Sequence, residues 1–182
     1  MYDVIALGEL LVDFTPCGTS GQGLPVYQAN PGGAPCNVLS MLAKLGRRTA
    51  FIGKVGHDMF GKMLRNTLRE AGIDDSGLVS SREVNTTLAF VQIDEQGDRD
   101  FSFYRNPGAD MKLTSGEVDM ALVENTRIFR TTMCGAPPGT LSAARRKKVP
   151  WSPLIPISGL PSGPAWNWPG SRCSMAAACA AS

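Results

Sequence analysis

Asp13, Gly32, Gly33 and Asn37 are the residues of this chain whose types and spacing could do chemistry together. Asp13 is an acceptor-only carboxylate that can receive two hydroxyl protons in hydrogen bonds, and Asn37 both donates and accepts. Gly32 and Gly33 carry no side chains, so backbone N–H groups there can approach a ligand closely. A neutral molecule ringed with hydroxyls has to be held by fixed donors and acceptors of this kind. The same residues also have a plain structural use, with Gly32-Gly33 as a tight turn and Asn37 as a helix cap.

Other chemistries find no footing. Gly53-Lys54 is not a P-loop, because no glycine precedes it at the required spacing and Val55 stands where Ser or Thr must ligate magnesium. No GxGxxG motif opens a helix for a dinucleotide. His57 is the single histidine, which excludes a multi-histidine metal cluster, and it reads as a surface loop residue. Five cysteines without a CxxC spacing argue against a disulfide scaffold or a zinc site and fit a reducing, cytoplasmic location.

The elements that must position these groups follow from the apolar pattern. Asp3 to Val12 is a nearly continuous apolar run, expected as one buried strand ending at Asp13. Val26 to Ala29 can form a short strand. The loop Asn30-Pro31-Gly32-Gly33-Ala34-Pro35-Cys36-Asn37 then opens a helix whose Val38, Met41, Leu42 and Leu45 recur at helical spacing, with Gly46 as its stop. Thr49 to Val55 is a second buried strand, and Phe60 to Ala71 a second helix through Phe60, Met63, Leu64 and Leu68. That βαβα order predicts a parallel sheet with right-handed crossovers. Thr87 to Asp94 and Arg99 to Tyr104 alternate and flank a short loop, as a hairpin does. Glu117 to Glu124 reads as a short helix, and Arg127-Ile128-Phe129 begins another strand.

The 182-residue chain then changes character. Residues 1–129 hold all 16 acidic side chains against 12 basic ones. Residues 130–182 hold no Asp or Glu, eight of the 13 prolines and all three tryptophans, and show neither strand nor helix period. The net charge of +2 arises entirely from this tail, so neither a nucleic-acid nor a membrane partner is expected. No apolar run approaches the roughly 18–20 residues that span a bilayer. Met1 to Ile5 lacks the basic segment of a signal peptide.

Asp13, the Gly-Gly loop with Asn37 four residues after Gly33, and Gly46 and Gly56 together resemble the ribokinase-like (PfkB) family of sugar kinases. The segments GELLVDF, NPGGAPCNV, FIGKVGHDMFG and TTLAFVQID look most like its fructokinase branch. Leu39 departs from the pattern, where a small residue is usual, and is expected to hold its helix slightly off the sheet. The resemblance covers residues 2–129 and implies a three-layer α/β fold with a parallel sheet and a small β-lid, built from about 11–30 and 87–105. It places Asp13, Gly32, Gly33 and Asn37 on the sugar. Phe103 is expected to pack on the sugar face or in the lid core, and Arg105 to reach a hydroxyl or carbonyl oxygen or to form a surface ion pair. The lid often pairs with a second subunit, so a homodimer is an implied partner.

The resemblance implies ATP and Mg2+ for an intact member, and a base Asp in a Gly-Ala-Gly-Asp turn beside an anion hole. This chain has no such turn and no acid after Glu124, so no catalytic residue, cofactor-binding residue or metal ligand is assigned in it. Read one base out of frame, Lys148 to Gly163 is compatible with a strand followed by Asp-Pro-Asn-x-Arg, the segment expected next in such a kinase. Residues 130–182 are therefore expected to be an aberrant, disordered tail entered by a frame change between Phe129 and Val149. The expected function is phosphorylation of D-fructose at its 6-hydroxyl, with this chain inactive by itself. Alternatives are a non-enzymatic sugar-binding or lid-pairing fragment, or a kinase for 2-keto-3-deoxygluconate, ribose or a nucleoside.

Overall fold

A computed structural model describes residues 1–93 and 98–131. Strands β1 (Tyr2–Leu7), β4 (Thr49–Gly56), β5 (Asp74–Ser81) and β8 (Thr126–Thr131) form one parallel sheet in the order β5-β4-β1-β8. Strands β2 (Leu11–Thr19), β3 (Pro25–Gly32), β6 (Leu88–Ile93) and β7 (Arg99–Tyr104) form a second sheet in the order β3-β2-β6-β7. Its outer pairs are antiparallel and its central β2–β6 pair is parallel. These four strands lie within residues 11–32 and 88–104.

The parallel sheet is covered on both faces, as parallel sheets require. On one face Ile5, Leu7, Ala50 and Ile52 form a buried cluster with Leu113, Val118 and Val123. Leu113 and Val118 directly follow the 3-10 turns at Ala109–Lys112 and Ser115–Glu117, and Val123 lies in helix α3 (Met120–Glu124). On the other face lie α1 (Ala34–Lys44) and α2 (Met59–Glu70), with Leu39, Leu64 and Leu68 fully buried. The result is a three-layer α/β arrangement.

Several elements differ from expectation. The run from Asp3 to Val12 is two strands, not one: pairing in the parallel sheet closes where the Gly8 N–H donates to the Ile52 carbonyl, and the chain then enters the second sheet at Leu11. The run is apolar throughout because it serves two sheets in succession. Asp13 accordingly sits inside β2. The short strand at Val26 to Ala29 extends from Pro25 to Gly32, taking in Asn30 and Pro31. Helix α1 buries Cys36, Leu39 and Ser40, while Met41 and Leu45 face outward. Leu39 is fully buried, and α1 contacts β1 and β4.

Strand β5 carries the sequence DDSGLVSS, too polar to read as a strand; it forms at the sheet edge, where only Gly77, Leu78 and Ser81 are buried. The short helix expected over Glu117 to Glu124 begins later, at Met120, because Asp119 caps it through the Ala121 N–H. Glu117 closes a capping box with Thr114 instead. Strand β8 runs on through Arg130 and Thr131. The rest of the expected aberrant tail, and the hairpin tip at 94–97, lie outside the described residues. Among the described residues no helix is long and apolar enough to cross a membrane.

Candidate functional site

The second sheet grows from the C-terminal ends of the parallel strands, the end at which open α/β sheets place their ligands. One register row crosses all four of its strands: Asn30 on β3, Asp13 on β2, Ala89 on β6 and Phe103 on β7. Residues directly opposite one another share a face, so Asp13 and Phe103 lie on one side of the sheet. Between them stands Ala89, the smallest chiral side chain and fully buried. Phe103 is 53% exposed and its ring stacks on Phe101 with centroids 6.1 Å apart.

The opposite face is an aromatic cluster that anchors the sheet to the body. Phe14 stacks on Phe90 at 4.8 Å and meets Phe60, in the first turn of α2, edge-on at 5.7 Å. A second tie is polar. Asp58 caps α2 through the Gly61 N–H and also accepts from the N–H and hydroxyl of Thr86, just before β6. These contacts fix the height at which Asp13 stands.

Asp13 is half-buried, yet neither of its oxygens accepts a hydrogen bond from the described residues. Burial pushes its carboxyl above the ordinary carboxylate value, and the nearby charge of Glu9 pushes it further. Both oxygens are therefore open to a ligand bearing hydroxyls in place of solvent. Gly32 opposes Leu11 in register and makes room for this carboxylate: a side-chain carbon at position 32 would overlap it and come within 3.0 Å of Leu11 Cδ1. Gly33 has φ +120°, a region that favours glycine, and a side-chain carbon there would press on the Glu9 carbonyl at 2.5 Å. Gly33 is also the N-cap of α1, with no side chain to cap it. Asn37, one turn into α1, is exposed and donates its backbone N–H to the Gly33 carbonyl, so it is no cap.

Arg105 is held by two carboxylates. Its Nη2 donates to Glu9 Oε2 at 3.2 Å and to Asp110 Oδ2 in a closer ion pair. Asp110 is fully buried, and its other oxygen accepts from the Thr87 hydroxyl. Of the two roles expected for Arg105, the ion pair is present, although it is partly buried rather than on the surface. Glu9, Asn30 and Asp110 escaped the sequence reading. Asp110 closes the same Arg105-Asn106-Pro107-Gly108-Ala109-Asp110 segment that drew attention to Arg105. Asn30 lies in the Asp13 row with its amide donating to Thr15 Oγ1 at 2.8 Å.

The lookalikes are structural. Lys54 ties β4 to Glu117 at 2.6 Å and to the Lys112 carbonyl. His57 is exposed after β4. A cavity of about 370 Å³ lies at the other end of the sheet, lined by Tyr2, Arg48, Thr49, Arg69, Gly72, Ile73 and Asp74. Its carboxylate and one of its arginines are already engaged: Asp74 accepts from Tyr2 and Ser76, and Arg69 pairs with Asp75. Among the described residues no group of three or more His, Cys, Asp or Glu could hold a metal ion.

Against known proteins, the family model described as pfkB family carbohydrate kinase matches residues 1–146. Fructokinase-1 of Oryza sativa subsp. japonica is 45% identical over 128 residues, which are 69% of this chain and 40% of that protein. The crystal structure of fructokinase from Xylella fastidiosa matches with TM-score 0.67 and 35% identity, over 72% of this chain and 41% of that one. The same Xylella enzyme crystallised with bound ATP gives TM-score 0.65 at 35% identity, over 72% and 39%. The chain thus spans about two fifths of the length of the relatives it matches.

Proposed function

The chain belongs to the pfkB family of carbohydrate kinases, and we propose that residues 1–131 form the sugar-holding half of an ATP-dependent kinase site. The sugar is D-fructose, as the names of the similar proteins suggest, and the acceptor is its 6-hydroxyl, as the resemblance to the fructokinase branch implies. One observation carries the sugar role: a half-buried Asp13 carboxylate with no hydrogen-bond partner among the described residues, faced by a glycine that clears space for it. Two vicinal hydroxyls would fill both carboxylate oxygens, while Phe103 presents an apolar face on the same side of the sheet.

Phosphoryl transfer also needs a base for the acceptor hydroxyl, a bound nucleotide and stabilisation of the transferred charge. ATP bound to a similar enzyme supports ATP as donor. No carboxylate follows Glu124 in the sequence, so a downstream carboxylate base has no candidate in this chain. The 182 residues then bind sugar without turning it over. A coupled ADP-release assay with D-fructose tests this: no fructose-dependent rate is expected, and a rate that scales with purified chain refutes it. In the same solution, ligand-observed NMR should detect fructose binding. The exposed second sheet, with Tyr104 68% accessible, is the surface for pairing with a second copy; sedimentation should then show a dimer.

A further inference from the structure

We infer that Asp110 sets the charge class of the ligand: by occupying Arg105 from within the fold, it makes the site one for uncharged sugars and against sugar acids. The inference rests on the sugar-site reading above and deepens it.

A guanidinium beside a sugar pocket is ordinarily the group that would recognise a substrate carboxylate, since it matches that geometry with paired donors. Here Nη2 of Arg105 is spent on Asp110 and Glu9, whose two charges already neutralise the guanidinium, while its buried Nε has no partner among the described residues. Asp110 cannot turn away to release it. Its side chain has no solvent exposure, and its second oxygen is held by Thr87. Unpairing it would leave a buried charge without compensation. Arg105 is therefore fixed as a counter-ion of the protein.

The remaining charges point the same way. Glu9 and Asp110 are two carboxylates on one guanidinium, and the charge of Glu9 also bears on Asp13, raising its pKa. A ligand that brought a further carboxylate would meet net negative charge, with partly buried walls that screen it poorly. A hydroxymethyl group in the same place would not. Thr87 and Asp110 thus exclude an ionised substrate without touching it, as positioning residues acting through Arg105.

The test compares D-fructose with 2-keto-D-gluconate, which is fructose with its C1 hydroxymethyl oxidised to a carboxylate. Calorimetric titration of the full chain should give at least tenfold weaker binding of the acid. In Asp110→Asn, which keeps the side-chain shape and its bond to Thr87, the ratio of the two affinities should move at least tenfold toward the acid. Glu9→Gln, which removes the second partner of Arg105, should move it in the same direction and serves if Asp110→Asn does not fold. Equal binding of the two sugars by the wild-type chain, or an unchanged ratio in the variants, overturns the inference and leaves the sugar site standing. Binding of neither sugar overturns the sugar-site reading and the inference with it.

Discussion

Gly32 and Asp13 are diagonal neighbours across the β2–β3 pair, and the space a side chain would take at position 32 is filled by the Asp13 carboxylate. The glycine is therefore a condition on where the carboxylate can stand. Gly32→Ala should displace Asp13 or splay β3, at an overpacking cost of about 1–3 kcal/mol. Fructose affinity measured by calorimetry should fall at least tenfold, with a modest drop in melting temperature. Unchanged affinity would mean that Asp13 does not touch the ligand.

Asp13 should trade stability for binding. A carboxyl whose pKa is raised on folding costs nothing below its unfolded value, near 3.9. It costs stability as pH rises through its higher folded value. Asp13→Asn should therefore raise the melting temperature at neutral pH, and the gain should vanish below about pH 4. Fructose binding to the wild-type chain should weaken on acidification at a pH above that at which ordinary aspartates protonate. Melting and binding curves across pH 3 to 8 check both.

Asp58 should behave in the opposite sense. Burial pushes its carboxyl up, but hydrogen bonds from Thr86 and Gly61 outweigh this and leave it below the ordinary value. Its stabilisation is fully present above the unfolded value and disappears as pH falls through the folded one. Asp58→Ala removes both the α2 cap and the tie to the second sheet, and should cost about 1–2 kcal/mol at neutral pH. Urea melts of the two chains should converge in acid.

The two cysteines of the body should label differently. Cys36 is buried under α1 and its thiol is pushed up to about 12 by burial, whereas Cys17 is exposed on β2. Under native conditions iodoacetamide should modify Cys17 and spare Cys36, as read by peptide mass spectrometry. Ready labelling of Cys36 would show that α1 does not dock as described.

Much of the scaffold could be read directly from residues. Phe51, Ile52 and Val55 announce β4 because a strand buried on both faces is apolar without interruption. Leu64 and Leu68 announce α2 by their spacing. Strand β5 was illegible because an edge strand needs few apolar residues, and Asp74, Asp75 and Ser76 supply none. The face of α1 was misread because apolar residues flank its true stripe on both sides, so periodicity could not choose Leu39 over Met41. Asp13, Gly32 and Gly33 were visible through type and spacing. Glu9 and Asp110 were not, because the contact that matters joins Glu9 to a residue 96 positions away, and no local pattern encodes it.

Isothermal titration of D-fructose into the purified 182-residue chain and its Asp13→Ala variant decides whether a sugar cradle exists. The wild-type chain should give saturable binding with one sugar per chain, and the variant should lose it while still melting cooperatively. Absence of heat with a folded wild-type chain, or equal binding by both, would contradict the assignment of Asp13 to the sugar.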